Sequence, residues 1–299
     1  MLGHTTQEQM ETYIMTTIAD ERAMTALKGQ LRGTLVRPGD SDYDAARAVW
    51  NGMIDRRPAI IVRPADAADV IAAVNAARES GMPLAVRGGG HNAAGLSVCD
   101  DGIVIDLSSM KAVTVDPAAR TARVEGGATW GDFDAATAPY GLATTGGLIS
   151  STGVGGLTLG GGLGWLMRAY GLASDNLLSV EVVTADGRLV TASEAQNSDL
   201  FWGLRGGGGN FGIATSFQFR LHPVDTVLAG MLVFPLEQAG EVLGLYREVT
   251  ANAPDELAIF APLMTTPEGA KVIALIVCYD GPIADGERAI APLDRKSVV

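Results

Sequence analysis

Glycine is concentrated in three short clusters, and these clusters constrain the fold more than any other feature of the sequence. The 299 residues include 38 glycines, of which 20 fall within residues 88–95, 146–171 and 203–212. The glycines show no three-residue period, which excludes collagen, and apolar segments flank the clusters, which excludes a flexible linker. Because glycine lets backbone N–H groups approach an anion closely, the clusters predict phosphate-binding loops in a globular protein.

The acidic composition excludes several classes of protein. The formal net charge is −12 and no basic run is longer than a pair, so nucleic-acid binding is not expected. Hydrophobic residues make up 47% of the chain, which excludes a disordered protein. No apolar run reaches the ~18 residues of a membrane span, and residues 1–23 lack the apolar core of a signal peptide. We therefore expect no membrane partner and a cytoplasmic location.

Cysteine and histidine are too few and too scattered for a zinc site or a disulfide framework. Cys99 and Cys278 lie in apolar, strand-like segments and are interpreted as core residues. His4, His91 and His222 are remote from one another in sequence and show no metal-ligand spacing. His222 stands at the end of a predicted strand and is interpreted as structural.

Periodicity and capping signals place the glycine clusters between regular elements. A helix is predicted within residues 63–81, opened by Pro64 and Asp66 and ended by Gly81. Thr129 and Asp132 form a capping box for a short helix. Strands are predicted at residues 84–86, 103–107, 121–125, 178–184, 188–191 and 213–221. Beyond a boundary near residue 224, glycines become sparse and the pattern is strand, helix, strand, strand.

Three common glycine motifs do not explain the clusters. The P-loop motif is absent, and so is the G-x-S-x-G motif of hydrolases. A G-x-G-x-x-G pattern occurs at Gly207, Gly209 and Gly212, but it precedes a predicted strand. A dinucleotide-binding fingerprint must open a helix, so we reject this match.

His91 directly follows the first cluster, Arg87-Gly88-Gly89-Gly90, at the end of a predicted strand. Two interpretations of the residue remain open from its local sequence. The imidazole could cap a backbone group in a turn. Alternatively, the loop could bind a phosphate and present the imidazole, a competent nucleophile, to a cofactor.

Two segments together, RGGGHN at 87–92 and GVGGLTLGGGLGWLMR at 153–168, resemble one family. It is the flavin-dependent oxidoreductases with a PCMH-type (vanillyl-alcohol-oxidase-type) FAD domain, particularly the bacterial berberine-bridge-enzyme-like members. Further blocks at 170–176, 183–187 and 202–213 follow in the order of the family. The resemblance covers roughly residues 30–290.

The resemblance implies an α+β fold. A two-subdomain PCMH-type FAD-binding domain would occupy residues 31–224, with its core at 54–224, after an N-terminal tail and helix at 1–30. An incomplete substrate-binding domain, made of an antiparallel sheet and helices, would occupy residues 225–299.

The resemblance also implies FAD as the cofactor. The backbone of the first loop would bind the pyrophosphate, and His91 would bond covalently to the 8α-methyl group of the flavin. Relatives with a second, cysteinyl link carry a cysteine where this chain has Ile149, so we expect no second link. The expected FAD-binding residues are Arg87, Gly88, Gly89, Gly90, His91, Asn92, Gly95, Gly147, Ser151, Thr152, Gly153, Gly155, Gly156, Gly212 and Ile213.

The implied function is oxidation of a small-molecule substrate. A C–H of an alcohol, sugar or amine would deliver a hydride to flavin N5, and O2 would accept the electrons. One alternative is a flavin-binding fragment without catalytic competence. Another is a relative of sugar-nucleotide reductases, which would use NADPH and bind FAD non-covalently, contrary to the expected His91 link.

The end of the chain departs from the family pattern. Family members continue beyond the position of Val299 and return to the FAD domain with a segment that contains tyrosine and asparagine. Their catalytic base usually lies in that portion, so no catalytic residue is assigned. We expect a C-terminally truncated chain, whose half-built sheet would leave an unpaired edge and an exposed apolar face, so that the strand at 272–279 would be aggregation-prone unless a partner covers it.

Overall fold

The computed structural model describes residues 25–294, which begin with a mixed sheet and three helices. The helices are α1 (residues 25–30), α2 (Tyr43–Arg47) and α3 (Ala67–Ser80). The strands are β1 (Thr34–Val36), β2 (Ile60–Arg63), β3 (Leu84–Arg87) and β4 (Ile103–Asp106). They lie in the order β1-β2-β4-β3, with β2 and β3 parallel to β4 and β1 antiparallel to β2.

Helix α3 confirms the helix predicted from capping signals. The carboxylate of Asp66 accepts two backbone N–H groups of the first turn, and Gly81 ends the helix with a φ of +70°. The apolar face of α3 packs into the same buried cluster as β2 and β4 through Val70, Val74 and Ala77. Strand β3, which leads into the first glycine loop, packs against this close-packed cluster through Val86.

The second sheet is antiparallel throughout. Its strands are β5 (Val113–Asp116), β6 (Thr121–Glu125), β8 (Leu177–Val183), β9 (Leu189–Ser193) and β10 (Ile213–Arg220), in the order β5-β6-β10-β8-β9. Two short strands, β7 (Leu142–Ala143) and β11 (His222–Pro223), pair with each other. Four helices accompany this sheet: α4 (Trp130–Thr137), α5 (Val154–Leu159), α6 (Met167–Tyr170) and α7 (Ser198–Leu204).

Local signals in this part of the chain also predicted the correct elements. Thr129 and Asp132 form both hydrogen bonds of the capping box at the start of α4. The third glycine cluster leads through Gly212 into β10 rather than into a helix. The structure therefore confirms the rejection of the dinucleotide-binding fingerprint.

The third sheet and two helices complete the described chain. The strands are β12 (Leu228–Pro235), β13 (Leu257–Phe260), β14 (Leu263–Thr265) and β15 (Lys271–Tyr279), and the helices are α8 (Ala239–Ala251) and α9 (Ile283–Asp294). Strand β15 pairs with β12 on one side and with β13 and β14 on the other, antiparallel in each case.

The expectation of an exposed strand at 272–279 is wrong. Strand β15 is the centre of the third sheet, and nearly all of its residues are buried. It is long enough to pair with all of β12 along one edge while β13 and β14 share its other edge. Within the described residues, the outer strands of this sheet are therefore β12 and the β13–β14 pair.

Side chains from the second glycine cluster join the second and third sheets. Arg168 donates hydrogen bonds to the carbonyl oxygens of Leu257 (2.9 Å) and Ala253 (3.2 Å). The ring of Trp165 packs edge-on against Phe260 with centroids 4.9 Å apart. The change of sheet falls between β11 and β12, and a domain boundary near residue 224 stays a prediction.

His222 makes the contacts of a structural residue. Its Nε2 lies 2.6 Å from Oδ1 of Asn176, and its ring stacks on Tyr170 with centroids 4.0 Å apart. Burial, followed by the charge of Arg220, lowers the pKa of His222 and keeps the imidazole neutral at pH 7.

The described residues include neither a membrane-spanning helix nor a cluster of metal ligands. No helix between 25 and 294 has both the length and the apolar character that crossing a membrane requires. The same part of the chain contains no group of three or more His, Cys, Asp or Glu side chains arranged to hold a metal ion.

Candidate functional site

A cleft of about 380 Å³ lies where the first glycine cluster meets the second. Its volume is within the range of small-molecule sites. The lining residues are Ala45, Ala48, Val49, Trp50, Arg87, Gly88, Gly89, Gly90, Ser108, Lys111, Gly127, Thr129, Asp132 and Ser151.

The loop after β3 presents unused backbone donors beside this cleft. None of the backbone N–H groups of residues 88–92 makes a hydrogen bond to another residue of the described chain. Backbone donors without a partner are rare in folded proteins unless water or a ligand satisfies them. A run of such donors in a glycine loop has the character of an anion-binding nest.

The two glycine loops touch backbone to backbone. A Cβ built on Gly89 would lie 2.3 Å from the backbone nitrogen of Gly153, and a Cβ on Gly153 would lie 2.3 Å from that of Gly89. No side chain fits at either position without displacing the other loop. Both glycines are therefore needed to bring the loop of residues 88–92 against the residues before α5.

His91 lies at this contact and is half-buried. Its Nε2 is 3.1 Å from Oγ of Ser151 in the second loop. On its other side, the imidazole stacks on the indole of Trp50, with centroids 5.5 Å apart and an interplanar angle of 19°. Three separate segments of the chain thus meet at one imidazole.

The guanidinium of Arg87 is hydrogen-bonded to other residues of the protein. Its guanidinium donates to both carboxylate oxygens of Asp106, at 3.1 and 2.5 Å, and to the carbonyl oxygens of Ala46 (2.5 Å) and Ala48 (3.0 Å). Arg87 therefore ties the first loop to the segment before Trp50. Its expected contribution to FAD binding stays a prediction, with most of its N–H groups already occupied.

Asp106 is fully buried beneath the loop. Burial alone would raise the pKa of its carboxyl group, but the hydrogen bonds and charge of Arg87, with the N–H of Ser108, outweigh burial and hold the pKa below its usual value. Arg63 adds a second guanidinium contact at 3.3 Å. The carboxylate is thus ionised and fully partnered at neutral pH.

Substitution of Asp106 by asparagine should destabilise the fold by about 3 kcal/mol at pH 7, because it leaves the guanidinium of Arg87 partly buried without its counter-charge. A lowered carboxyl pKa stabilises the folded state above the unfolded pKa, and this stabilisation is lost as the pH falls through the folded value. Urea unfolding from pH 7 to pH 3 should therefore show a smaller acid-induced loss in Asp106→Asn. An unchanged pH dependence would contradict this role.

Asn92 and Gly95 shape the end of the first loop. The backbone carbonyl of Asn92 accepts from Gly95 N (3.1 Å) and its Oδ1 accepts from Leu96 N (3.0 Å). Gly95 has a φ of +73° and packs against Ile54. Both residues close the turn beside the cleft, and direct contact with FAD stays a prediction for each.

Of the residues predicted in the second cluster, Ser151 lines the cleft and Gly153 contacts Gly89. Gly147 packs against Trp130, and the carbonyl of Thr152 accepts from Trp130 N (2.9 Å). Gly155 and Gly156 occupy the first turn of α5. A contact of these residues with FAD stays a prediction.

Gly212 and Ile213 lie apart from the cleft wall. They precede and begin β10, where Ile213 pairs with Val183 at the end of β8. Neither residue belongs to the lining of the cleft. Their place in the FAD site also stays a prediction.

The positions relevant to a second flavin link carry no thiol. The side chain of Ile149 is exposed, and neither Cys99 nor Cys278 lines the cleft. Both cysteines are free thiols. Burial, with a contribution from the charge of Asp280, raises the pKa of the Cys278 thiol to about 11.

Several lining residues were missed from the sequence. Thr129 and Asp132 were recognised as a capping box but not as cleft residues, although the box places both in the wall. The backbone N–H of Thr129 lowers the pKa of Asp132, with further contributions from the Thr129 hydroxyl and the charge of Lys111. Trp50 had no local motif, since its importance depends on a contact with a distant residue.

Comparison with known proteins identifies the family of the chain. Residues 58–193 match the model of the FAD binding domain family. The chain is 39% identical over 260 residues to a FAD-linked oxidoreductase of Dictyostelium discoideum, an alignment that covers 86% of this chain and 56% of the relative. The chain belongs to the family of FAD-linked oxidoreductases. The resemblance inferred from the glycine motifs is thereby confirmed, and FAD is the cofactor of the family.

Solved structures of the family confirm the α+β fold. 6-Hydroxy-D-nicotine oxidase from Arthrobacter nicotinovorans superposes with a TM-score of 0.85 at 33% identity, covering 90% of this chain and 60% of that protein. BBE-like 1 of Physcomitrella patens has a TM-score of 0.84 at 29% identity, covering 92% of this chain and 60% of that protein. The chain spans 56% to 60% of the length of these three relatives.

The residues at the cleft fit the cofactor of the family. The free N–H groups of 88–92 match the need of a pyrophosphate for several donors. The close approach of Gly89 and Gly153 keeps side chains out of the contact between the two loops. An imidazole stands at the end of this nest.

Proposed function

We propose that this chain binds FAD covalently through His91 and belongs to an enzyme that oxidises a small molecule. One observation carries the proposal: the unpartnered N–H groups of 88–92 lie in the loop that carries His91, and the imidazole of His91 contacts Ser151 of the second glycine loop. The backbone donors bind the pyrophosphate, and Lys111 in the cleft wall adds positive charge. The imidazole then lies beside the cofactor rather than in an isolated turn.

Ser151 determines which imidazole nitrogen is available. When Nε2–H donates to Oγ of Ser151, the lone pair of Nδ1 is exposed, and Nδ1 has no hydrogen-bond partner among the described residues. The bond to the 8α-carbon replaces one C–H of the methyl group and one N–H of the imidazole. The two hydrogens and two electrons that are released pass to O2, which becomes H2O2.

The substrate is a small molecule with an oxidisable C–H next to oxygen or nitrogen, such as an alcohol, a sugar or an amine. When bound, FAD accepts the hydride of such a bond at N5 and passes the electrons to O2. This chain contributes an apolar wall: Met231, Ile276 and Phe260 are aligned across the third sheet, and Phe260 contacts Trp165. We expect this wall to contact the apolar part of the substrate.

Reduction by dithionite tests whether the bound cofactor is redox-active. The full chain, purified after expression, should be yellow, lose its flavin absorbance on addition of dithionite and regain it in air. The matched reference is the same protein with dithionite added under air throughout. A colourless protein that takes up no added FAD would contradict the proposal, whereas a bound flavin that neither bleaches nor recovers would favour the catalytically incompetent fragment.

A further inference from the structure

The segment before β2 lies across the first glycine loop and is attached to it on both sides of Trp50. Arg87 donates to the carbonyls of Ala46 and Ala48, before the tryptophan. The backbone N–H of Trp50 donates to Gly90 O (3.1 Å), and Asn51 Nδ2 donates to Ala93 O (2.8 Å). The backbone of Trp50 is therefore fixed relative to His91.

The indole of Trp50 has no role in the hydrophobic core. It is 67% exposed and belongs to none of the buried clusters of the described chain, although its neighbour Val49 packs against one. Its ring stacks on the imidazole of His91. The backbone of Trp50 is fixed by its hydrogen bond to Gly90, and its ring is packed on the imidazole of the proposed link, which together point to a role at that imidazole.

The other tryptophans of the chain have different surroundings. Trp130 is fully buried in the aromatic core of the second sheet, and Trp165 packs against Phe260. Trp202 is 76% exposed and lines a separate cleft. Trp202 is therefore a suitable control, because it is an exposed indole away from His91.

We propose that Trp50 is a positioning residue for the attachment of FAD to His91, an inference that rests on the proposed function. Stacking fixes the plane of the imidazole, and the contact of Nε2 with Ser151 fixes its rotation within that plane. One constraint alone leaves the ring a rotational degree of freedom. Together they hold Nδ1 in a single orientation for bond formation with the 8α-carbon.

The positioning role of Trp50 does not change the atoms and electrons exchanged when FAD is attached to His91. The C–N bond forms at the expense of one methyl C–H and one imidazole N–H, and O2 takes up the two hydrogens and two electrons as H2O2. Trp50 exchanges no proton or electron in it. The indole acts on the rate of attachment through the orientation of His91 alone.

The test is the rate at which the flavin-free fraction of the purified chain of residues 1–299 acquires acid-stable flavin after addition of FAD in air. Aromatic stacking of this kind corresponds to about a tenfold change in population. Trp50→Ala and Trp50→Leu should therefore slow attachment about tenfold, whereas Trp50→Phe should stay within about twofold of the natural chain. Trp202→Ala should attach flavin at the rate of the natural chain.

Thermal unfolding of the same proteins separates positioning from stability. All Trp50 variants should unfold within a few degrees of the natural chain, since the indole is outside the core. Attachment by Trp50→Ala at the natural rate would overturn the inference, and so would a Trp50→Phe variant as slow as Trp50→Ala. A natural chain that never acquires acid-stable flavin would overturn the proposed function itself, and Trp50 would then have no attachment to assist.

Discussion

Substitution of His91 by alanine should abolish acid-stable flavin in this protein. Denaturation with acid releases every non-covalently held cofactor, so colour that remains in the protein pellet measures the covalent bond. Alanine offers no nucleophile at this position, and the neighbours of the imidazole, the neutral hydroxyl of Ser151 and the indole of Trp50, are much weaker nucleophiles than an imidazole. The expected residual signal is therefore zero, read as flavin absorbance of the washed pellet.

The matched control is His222→Gln. His222 is the other imidazole of the described chain, and it contacts Asn176 and Tyr170 rather than the cleft. Its substitution should leave acid-stable flavin at the natural level, even though a buried hydrogen bond is lost. Equal retention of acid-stable flavin by His91→Ala and His222→Gln would contradict the assignment of the link to His91.

Substitution of Gly89 by alanine should have the second large effect. The added methyl group would stand 2.3 Å from the backbone nitrogen of Gly153, and backbone atoms cannot rotate away as a flexible side chain can. The two glycine loops must separate, at a cost of about 3 kcal/mol for overpacking of this kind. We expect a lower midpoint in urea unfolding and loss of bound flavin, because the separation also displaces Ser151 from His91.

Gly156→Ala provides the control for this prediction. A Cβ at Gly156 meets nothing within 4 Å, and the residue lies in the first turn of α5. Alanine there should be neutral or stabilising by up to about 1 kcal/mol, because glycine is the weaker helix former. A Gly89→Ala protein that is as stable as Gly156→Ala would show that the loops have room to move apart.

Local features of the fold could be predicted from sequence because their causes are local. Asp66 and Gly81 cap α3, and Thr129 and Asp132 cap α4, through bonds to residues within the same turn or the next. The strand after Gly212 could likewise be predicted from its alternating pattern. In each case the stabilising interactions join residues that are close in sequence, so the residue types alone predict the element.

The site depends on contacts between distant segments, which no local pattern contains. His91 and Ser151 are 60 residues apart, and the stack with Trp50 joins two further segments. Arg87 was predicted beside FAD and lines the cleft, whereas its hydrogen bonds to the buried Asp106 could not be predicted from sequence. The central position of β15 also required long-range pairing, since a continuous apolar run does not specify which strands flank it.

Mass spectrometry of one tryptic peptide tests the covalent FAD site most directly. Trypsin cleaves after Arg87 and after Lys111 and so releases residues 88–111, in which His91 is the sole histidine. In the purified natural chain, this peptide should carry the mass of one FAD less two hydrogens, with fragment ions that place the addition on His91. The peptide of residues 124–168, which contains Ile149, should carry none. An unmodified 88–111 peptide from a yellow protein would contradict the covalent site proposed at His91.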